Sequence, residues 1–273
     1  MHATVFQASN PISEIQASAP GQFVALTDGL VHYELGGPPD RPTVVLIHGF
    51  FPHAYVWDAT FNALVQAGLR VLRYDLYGRG YSDRPDTRYD TVLFDRQLVE
   101  LLSALEIDQP VDLVGASMGG AITLIFTDRH PTRVRRLGLI DPSGLYPKHA
   151  QMAKLMRIPL VGELLIALYC QPHKFPEPLR PFVAHDGSRR AFLSTIRHGP
   201  FGDISDVYQR VGQQTRPTLL IWGREDETIP FEISQSVRRH LPTTHFHTIE
   251  NAGHKPYYEQ PETVNPLLIE FLK

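Results

Sequence analysis

Short apolar runs alternate with longer segments of helical length along most of the chain. The apolar runs are rich in β-branched residues or leucine, end in turn residues, and lie at residues 43–47, 70–75, 111–114, 136–140 and 218–222. Continuous apolar runs of this kind are typical of parallel strands that are buried on both faces. A β-hairpin is predicted before them, because residues 23–26 and 30–33 flank an Asp-Gly turn at residues 28–29.

The segments of helical length follow these runs in turn. They lie at residues 59–67, 89–105, 119–129, 229–240 and 262–272, and a further strand-like run covers residues 244–249. The last helix would begin after Pro261, because proline is favoured in the first turn of a helix. Strands and helices in alternation need crossover connections, so the pattern predicts an α/β fold with a mostly parallel sheet.

One long interval breaks this alternation. Residues 142–216 contain several prolines and helical stretches but no strand pattern, and they far exceed an ordinary connection between two strands. We therefore predict a helical cap at residues 142–216, inserted into an α/β core that is formed by residues 1–141 and 217–273. A chain of 273 residues is long enough for one such core.

Charge and composition exclude some classes of function. The formal net charge is −3 and no run of lysine or arginine is present, so nucleic acid is not an expected partner. A small and largely apolar molecule is the expected substrate. Cys170 is the single cysteine, which rules out an intramolecular disulfide, and its apolar surroundings predict a buried and unreactive thiol.

Membrane and export signals are also weak. The most apolar stretch, residues 158–170, is too short to span a bilayer and contains Glu163. The first 20 residues lack the basic and apolar regions of a signal peptide; they predict a polar arm on the surface. We therefore expect a cytoplasmic protein.

A serine in a strand-turn-helix context is the strongest chemical signal. Residues 115–120 read Gly-Ala-Ser-Met-Gly-Gly, directly after the strand at 111–114 and at the start of the next helix. A Gly-x-Ser-x-Gly sequence in this position is the nucleophile elbow, in which glycines permit the tight turn that exposes the serine. Ser117 is therefore the predicted nucleophile.

A serine hydroxyl needs a base and an orienting acid, which follow it along the chain in the order acid, histidine when the elbow motif is present. His254 lies after the last strand-like run and before the last helix, and it is the predicted base. Asp226 follows the strand at 218–222 and is the predicted acid, with Glu225 and Glu227 facing water. Asp141, at the end of the strand before, stays open as an alternative acid.

An oxyanion hole needs two backbone N–H groups aimed at the developing charge. Met118, directly after the nucleophile, is predicted to supply one. Phe50 is predicted to supply the other, from the loop after the strand at 43–47, with Phe51 as the alternative. His48 is interpreted as a residue that fixes this loop by hydrogen bonding.

The motifs, taken in order, resemble those of the α/β-hydrolase superfamily. They are His48-Gly49-Phe50, residues 75–82 (Asp-Leu-Tyr-Gly-Arg-Gly-Tyr-Ser), the elbow at 115–120, residues 222–226 and Gly253-His254. Within the superfamily the pattern is most similar to carboxylesterases and monoacylglycerol-lipase-like members. Serine at the elbow departs from haloalkane dehalogenases and epoxide hydrolases, which have aspartate there. The loop at 48–51 departs from the Ser- and Gly-rich loop common in carbon–carbon bond hydrolases of meta-cleavage products, the nearest alternative.

The resemblance implies a serine hydrolase that forms an acyl-enzyme, and the expected reaction is cleavage of small to medium, largely apolar carboxylic esters. Neither a metal nor an organic cofactor is implied, and the sequence has no zinc-ligand spacing. Two alternatives stay open, namely a carbon–carbon bond hydrolase of the meta-cleavage-product type and a hydrolase-fold binding protein.

The predicted cap is where substrate choice is expected. Its apolar run at 158–168 is accompanied by four phenylalanines that would line an acyl or aryl pocket: Phe175, Phe182, Phe192 and Phe201. The apolar edge of the cap also offers a surface for weak contact with lipid. The glycine-rich segment at 75–82 is interpreted as structural support, in which Asp75 and Arg79 hydrogen-bond the backbone near the site.

Overall fold

One eight-stranded sheet forms the centre of the computed structural model, which describes residues 15–17, 19–51, 53–146, 151, 154–185 and 187–273. The strand order across the sheet is β1-β2-β4-β3-β5-β6-β7-β8. The strands are β1 (Gln22–Leu26), β2 (Gly29–Gly36), β3 (Thr43–Ile47), β4 (Arg70–Tyr74), β5 (Val111–Ala116), β6 (Val134–Ile140), β7 (Thr218–Gly223) and β8 (His245–Ile249). Each strand predicted from the sequence is present, with ends that differ by no more than three residues.

The sheet is parallel from β4 to β8, and β1 and β2 form an antiparallel edge. The predicted hairpin is present, but because Leu26 pairs with Gly29 its two turn residues are Thr27 and Asp28 rather than Asp28 and Gly29. The α/β fold with a mostly parallel sheet is therefore confirmed, and it is the α/β-hydrolase fold that the motifs implied.

Helices connect the strands and cover the sheet. They are α1 (Asp58–Gln66), α2 (Thr91–Ala104), α3 (Met118–Arg129), α4 (Val161–Tyr169), α5 (Arg180–Ala184), α6 (Ser188–His198), α7 (Ser205–Gly212), α8 (Ile233–His240), α9 (Pro256–Glu259) and α10 (Pro261–Leu272). α2 begins later than predicted because Asp90 caps it, accepting hydrogen bonds from the N–H groups of Val92 (2.9 Å) and Leu93 (3.0 Å).

Apolar clusters cover both faces of the sheet. Leu113 belongs to the cluster on one face and Val114 to the cluster on the other, as the alternation of side chains along a strand requires. All of β5 is buried. The chain therefore reaches Ser117 from a fully buried strand of the sheet, and the position of that residue is set by packing on both sides.

The interval between β6 and β7 contains α4 to α7 and two 3₁₀ turns, with no strand in its described residues. Met156, Ile166 and Cys170 belong to an apolar cluster of this interval that also contacts Phe50 and Phe51. The cap boundaries at 142 and 216 stay a prediction. Residues 147–150, 152, 153 and 186 of the interval, and most of the expected surface arm at 1–20, lie outside the described residues.

Cys170 and the apolar helices of this interval have the properties expected from the sequence. Cys170 is fully buried, and burial raises the pKa of its thiol to about 11, which agrees with an unreactive thiol. Among the helices that the structure describes, none has both the length and the apolar character needed to cross a bilayer.

Two glycines allow α3 to approach the sheet closely. A Cβ atom at Gly115 would clash with the carbonyl oxygen of Gly119, and one at Gly119 would clash with the carbonyl oxygens of Ile47 and His48. These obstacles are backbone atoms, which cannot rotate away as a side chain can. The elbow therefore requires glycine at both positions.

We predict that Gly119→Ala lowers the free energy of unfolding by about 3 kcal/mol or more, because the added methyl group forces β3 and α3 apart. Urea denaturation measures this change. Gly202→Ala is the matched control, because a Cβ atom there meets nothing within 4 Å. Equal stability of the two variants would contradict the close approach of α3 to β3.

Candidate active site

Ser117 has a strained backbone at the junction of β5 and α3. Its φ of 55° and ψ of −119° lie outside the regions that ordinary residues adopt. Hydrogen bonds hold the turn in place: the Ser117 N–H donates to Ile140 O at 2.9 Å, and Ser117 O accepts from the N–H groups of Gly120 and Ser143, both at 3.0 Å. The serine side chain is thereby fixed at the carboxyl end of the sheet.

His254 connects Ser117 to Asp226. His254 Nε2 lies 2.9 Å from Ser117 Oγ, and His254 Nδ1 lies 2.7 Å from Asp226 Oδ2. With Nδ1 protonated, the imidazole donates to the carboxylate and leaves Nε2 free to accept the serine proton. The structure thus brings together the three residues that the sequence singled out, in the geometry of a hydrogen-bonded triad.

Asp226 is fully buried and is held on its other side by the backbone. Its Oδ1 accepts from the N–H groups of Thr228 at 2.8 Å and Ile229 at 2.9 Å. Because of this turn, α8 begins at Ile233, although the sequence predicted a helix from residue 229. The turn leaves Oδ2 as the oxygen that faces His254.

The loop that carries His254 is fixed by a residue that sequence reasoning missed. Glu259 accepts from the N–H of Gly253 at 2.6 Å and from the N–H of Lys255 at 3.0 Å. It therefore clamps the backbone on both sides of the histidine. A carboxylate a few residues after a Gly-His loop was the available signal, but an acidic residue in a first helical turn is too common to be distinctive.

Asp141 lies beside the triad. It is fully buried at the end of β6, and one of its carboxyl oxygens, one of Asp226 and a ring nitrogen of His254 lie within 4.8 Å of one another. Its Oδ1 accepts from the N–H of Gly223 at 3.0 Å. Burial, followed by the neighbouring charge of Asp226, raises the pKa of Asp141 well above the ordinary value. The surroundings of Asp141 therefore favour its protonated, neutral form.

These three residues are also the one group in the described part of the chain whose atoms are close enough to share a metal ion. His254 Nδ1 and Asp226 Oδ2 are, however, bonded to each other at 2.7 Å. A metal there would have to displace the hydrogen bond that orients the imidazole, so the donor set fits a triad better than a metal site.

The loop after β3 lies against the serine. A Cβ atom added at Gly49 would be 3.1 Å from Ser117 Cβ, so the loop passes close to Ser117, as the predicted oxyanion hole requires. His48 is buried, and burial lowers its pKa to about 4. Its Nε2 accepts from the Leu76 N–H at 3.0 Å, which leaves a proton on Nδ1 to donate to Gly49 O at 2.8 Å. His48 thus fixes the loop, as interpreted from the sequence.

Asp75 fixes the far end of the same loop. It is fully buried and accepts from the N–H groups of Ala54 at 2.7 Å and Tyr81 at 2.9 Å. Although burial alone would raise its pKa, contacts with His53 and His32 hold the pKa of Asp75 well below its usual range. The support role expected for Asp75 is confirmed, while the role of His53 was not visible in the sequence because the contact joins distant segments.

Aromatic rings from the interval between β6 and β7 pack on this loop. Phe192 lies 4.5 Å from Phe51 and Phe201 lies 5.2 Å from Phe50, both measured between ring centroids. Phe175 contacts Phe51 at 5.4 Å, and Phe182 contacts His53 at 4.4 Å. All four phenylalanines singled out in the sequence therefore meet the loop, and they form an apolar wall beside the site.

The ionisation state of Asp141 makes a prediction about stability. Because its pKa is raised on folding, the unfolded chain loses this proton at lower pH than the folded protein, so unfolding becomes easier as pH rises above the ordinary value of 3.8. Asp141→Asn keeps an acceptor for Gly223 and removes that penalty. We predict that the variant is more stable than wild type at neutral pH and that the gain disappears near pH 4.

Urea denaturation at about pH 4 and about pH 7 measures the difference. Asp108→Asn, on an exposed turn, is the control for a general effect of lost negative charge. A variant that is destabilised by the same amount at both pH values would contradict a neutral Asp141.

Known proteins of similar sequence are named as carbon–carbon bond hydrolases. A 2-hydroxy-6-oxononadienedioate/2-hydroxy-6-oxononatrienedioate hydrolase of Paraburkholderia xenovorans is 29% identical over 96% of this chain and 98% of its own length. A 2-hydroxy-6-oxo-6-phenylhexa-2,4-dienoate hydrolase of Comamonas testosteroni is 28% identical over 91% of this chain and 93% of its own length.

A solved structure with the same fold comes from the same class. The meta-cleavage product hydrolase of Pseudomonas fluorescens IP01 superposes with a TM-score of 0.73 over 92% of this chain and 97% of its own. Its sequence identity is 24%, so this likeness concerns the fold.

The expected function, cleavage of carboxylic esters, is wrong in the light of these relatives. Their names support the alternative, a carbon–carbon bond hydrolase. The ester expectation depended on the loop at 48–51, whose phenylalanines replace a Ser- and Gly-rich sequence. An oxyanion hole is made by backbone N–H groups, however, and side chains of very different size can present the same backbone. The loop sequence was therefore a poor guide to the bond that is cleaved.

The alpha/beta hydrolase family model matches residues 44–267. This range includes strands β3 to β8, except Thr43 at the start of β3, as well as Ser117, Asp226, His254 and the loop after β3. The chain belongs to the alpha/beta hydrolase family and is a hydrolase.

Proposed function

We propose that this protein hydrolyses a carbon–carbon bond in a meta-cleavage product, with Ser117 as nucleophile, His254 as base and Asp226 as orienting acid. Two observations together carry the proposal. Ser117, His254 and Asp226 form a hydrogen-bonded triad, and relatives that are similar to this chain over nearly their whole length are named for this reaction. The substrate class is a 2-hydroxy-6-oxo-dienoate, a small carboxylate with a vinylogous diketone in its keto form.

Attack on the ketone uses the triad directly. His254 takes the proton of Ser117 Oγ across the 2.9 Å hydrogen bond while Oγ bonds to the ketone carbon at position 6. Asp226 stabilises the imidazolium that forms. The N–H groups of Phe50 and Met118 donate hydrogen bonds to the oxyanion. Phe50 lies on the loop after β3, which His48 and Asp75 hold in place.

Cleavage of the carbon–carbon bond depends on the substrate's keto tautomer. When the tetrahedral adduct collapses, the bond between C5 and C6 breaks and its electron pair moves onto C5. In the keto form this charge delocalises through the adjacent double bond onto the C2 carbonyl, giving a dienolate that takes up the proton held by His254. The C6 fragment stays on Ser117 as an ester.

The same residues release the second product. His254, neutral again, removes a proton from water as the water attacks the acyl-enzyme, and Phe50 and Met118 stabilise the second oxyanion. His254 then returns the proton to Ser117 Oγ, and a carboxylic acid leaves. The cycle needs one water molecule and returns every side chain to its starting state.

Residues 142–216 act as the cap in this proposal. The apolar wall of Phe175, Phe192 and Phe201 on the loop at Phe50 and Phe51 supports this assignment, because it places apolar surface beside the acyl group that Ser117 would carry. An aryl or alkyl group on C6 therefore fits this side of the site.

We predict that purified wild-type protein converts 2-hydroxy-6-oxo-6-phenylhexa-2,4-dienoate to benzoate and 2-hydroxypenta-2,4-dienoate, and that Ser117→Ala lowers kcat by about 10³-fold or more. The fall in the substrate's absorbance measures the rate of the reaction, and chromatography identifies both products. Ser103→Ala, an exposed serine in α2, is the matched control and should retain full activity.

Two outcomes would overturn the proposal. One is no turnover of the dienoate by folded wild-type protein that hydrolyses p-nitrophenyl esters, since the bond cleaved would then be an ester. The other is equal turnover by wild type and Ser117→Ala, since the serine would then not be the nucleophile.

The two acids can be separated by a second pair of variants. Asp226→Asn removes the charge that orients His254, so we predict a loss of about 10³- to 10⁴-fold in kcat. Asp141→Asn replaces a neutral acid by a neutral amide and should stay within about threefold of wild type. Steady-state kinetics with the same substrate measures both, and the reverse order would make Asp141 the acid of the triad.

A further inference from the structure

Helix α4 has apolar residues on its outward face. Leu160 directly precedes the helix with a φ of 65°, and Leu164 and Leu168 lie one turn apart on one side of it. The three side chains are 81%, 60% and 49% exposed. Leu155, Ile158 and Tyr169 are also exposed. We call these six residues the apolar patch; they are six of the ten large apolar side chains exposed in the described part of the chain.

The opposite face of the helix is apolar as well. Ile166 is buried in the cluster that contacts Phe51, and Gly162 allows close packing on Met156. Apart from Glu163, α4 is thus apolar on its inward and outward faces, and a helix of that composition is normally buried on all sides. The outward face of α4 therefore exposes apolar side chains to water. An apolar surface of this kind marks a contact site.

Basic side chains accompany the apolar patch. Lys154 and Arg157 are exposed beside Leu155 and Ile158. At the other end, Lys174 Nζ donates to Leu168 O at 2.7 Å.

Glu163 does not cancel these charges, because Arg197 binds both of its carboxylate oxygens, at 2.9 and 3.1 Å. The surface is thus apolar in its middle and positive at both ends.

The charge of the whole molecule is distributed unevenly. Residues 142–216 contain ten lysines and arginines against five aspartates and glutamates, whereas the whole chain has a net charge of −3. An isologous contact between two copies through the apolar patch would bring the same basic groups together. A flat partner with a negatively charged surface and an apolar layer beneath it avoids this repulsion. It also matches the positive charge and the apolar side chains of this surface.

We propose that the apolar patch on α4 docks on the surface of an anionic phospholipid bilayer. Leu160, Leu164 and Leu168 enter the boundary between headgroups and acyl chains, and Lys154, Arg157 and Lys174 face the lipid phosphates. Tyr169, at the end of α4, is suited to the headgroup level. This docking is independent of the reaction proposed above, because no triad residue takes part.

Vesicle co-sedimentation of the full chain tests this docking. We expect the protein to bind phosphatidylcholine vesicles that contain about 30% phosphatidylglycerol, and to bind pure phosphatidylcholine at least about tenfold more weakly. Binding should fall as salt rises from about 50 to about 500 mM, because the charges that attract the protein become screened. Leu160→Ser/Leu164→Ser should lower binding to the anionic vesicles about tenfold or more.

The matched control is Leu35→Ser/Val92→Ser, which changes two exposed apolar residues outside the patch and should bind like wild type. Thermal melting checks that each variant is folded, and the comparison of lipid compositions needs no variant at all.

Absence of binding to anionic vesicles, or equal losses in both double variants, would overturn the proposal. A dimer seen by light scattering that Leu160→Ser/Leu164→Ser dissociates would also overturn it, since a second copy would then cover the patch.

Discussion

The backbone of Ser117 is the constraint on which the rest of the site depends. A non-glycine residue keeps a positive φ only where its surroundings over-determine it, and here a buried strand, a close-packed helix and four backbone hydrogen bonds do so. Glycine at 115 and 119 is the local condition, because any side chain would meet backbone atoms. The strained backbone of Ser117 is thus stabilised by the core of the sheet.

Two aspartates lie within one site in different surroundings. Asp226 accepts two backbone N–H groups and contacts an imidazole. Complete burial and the neighbouring Asp226 raise the pKa of Asp141, whereas its one backbone donor, the N–H of Gly223, lowers it. The net effect of these surroundings is to favour the neutral form of Asp141.

The sequence predicted the fold, and it singled out three residues that the structure places within hydrogen-bond distance, because those features depend on local patterns. Apolar runs define the strands, and Ser117, Asp226 and His254 each follow a strand directly, where the ends of a parallel sheet converge. Glu259, His53 and the pairing of Asp75 with Ala54 were not predicted, because they depend on contacts between loops. The bond that is cleaved was predicted wrongly for a related reason. It depends on the shape around the carbonyl, and a loop sequence does not determine that shape.

The contacts between residues 142–216 and the loop after β3 have a consequence for how substrate range can change. Phe175, Phe182, Phe192 and Phe201 pack on Phe50, Phe51 and His53. A rearrangement of residues 142–216 would therefore also move this loop. Under the proposed assignment of these residues as a cap and of the Phe50 N–H to an oxyanion hole, substrate range and the rate of the chemical step are inherited as one unit, so a cap transplanted between relatives would function well only with its own loop.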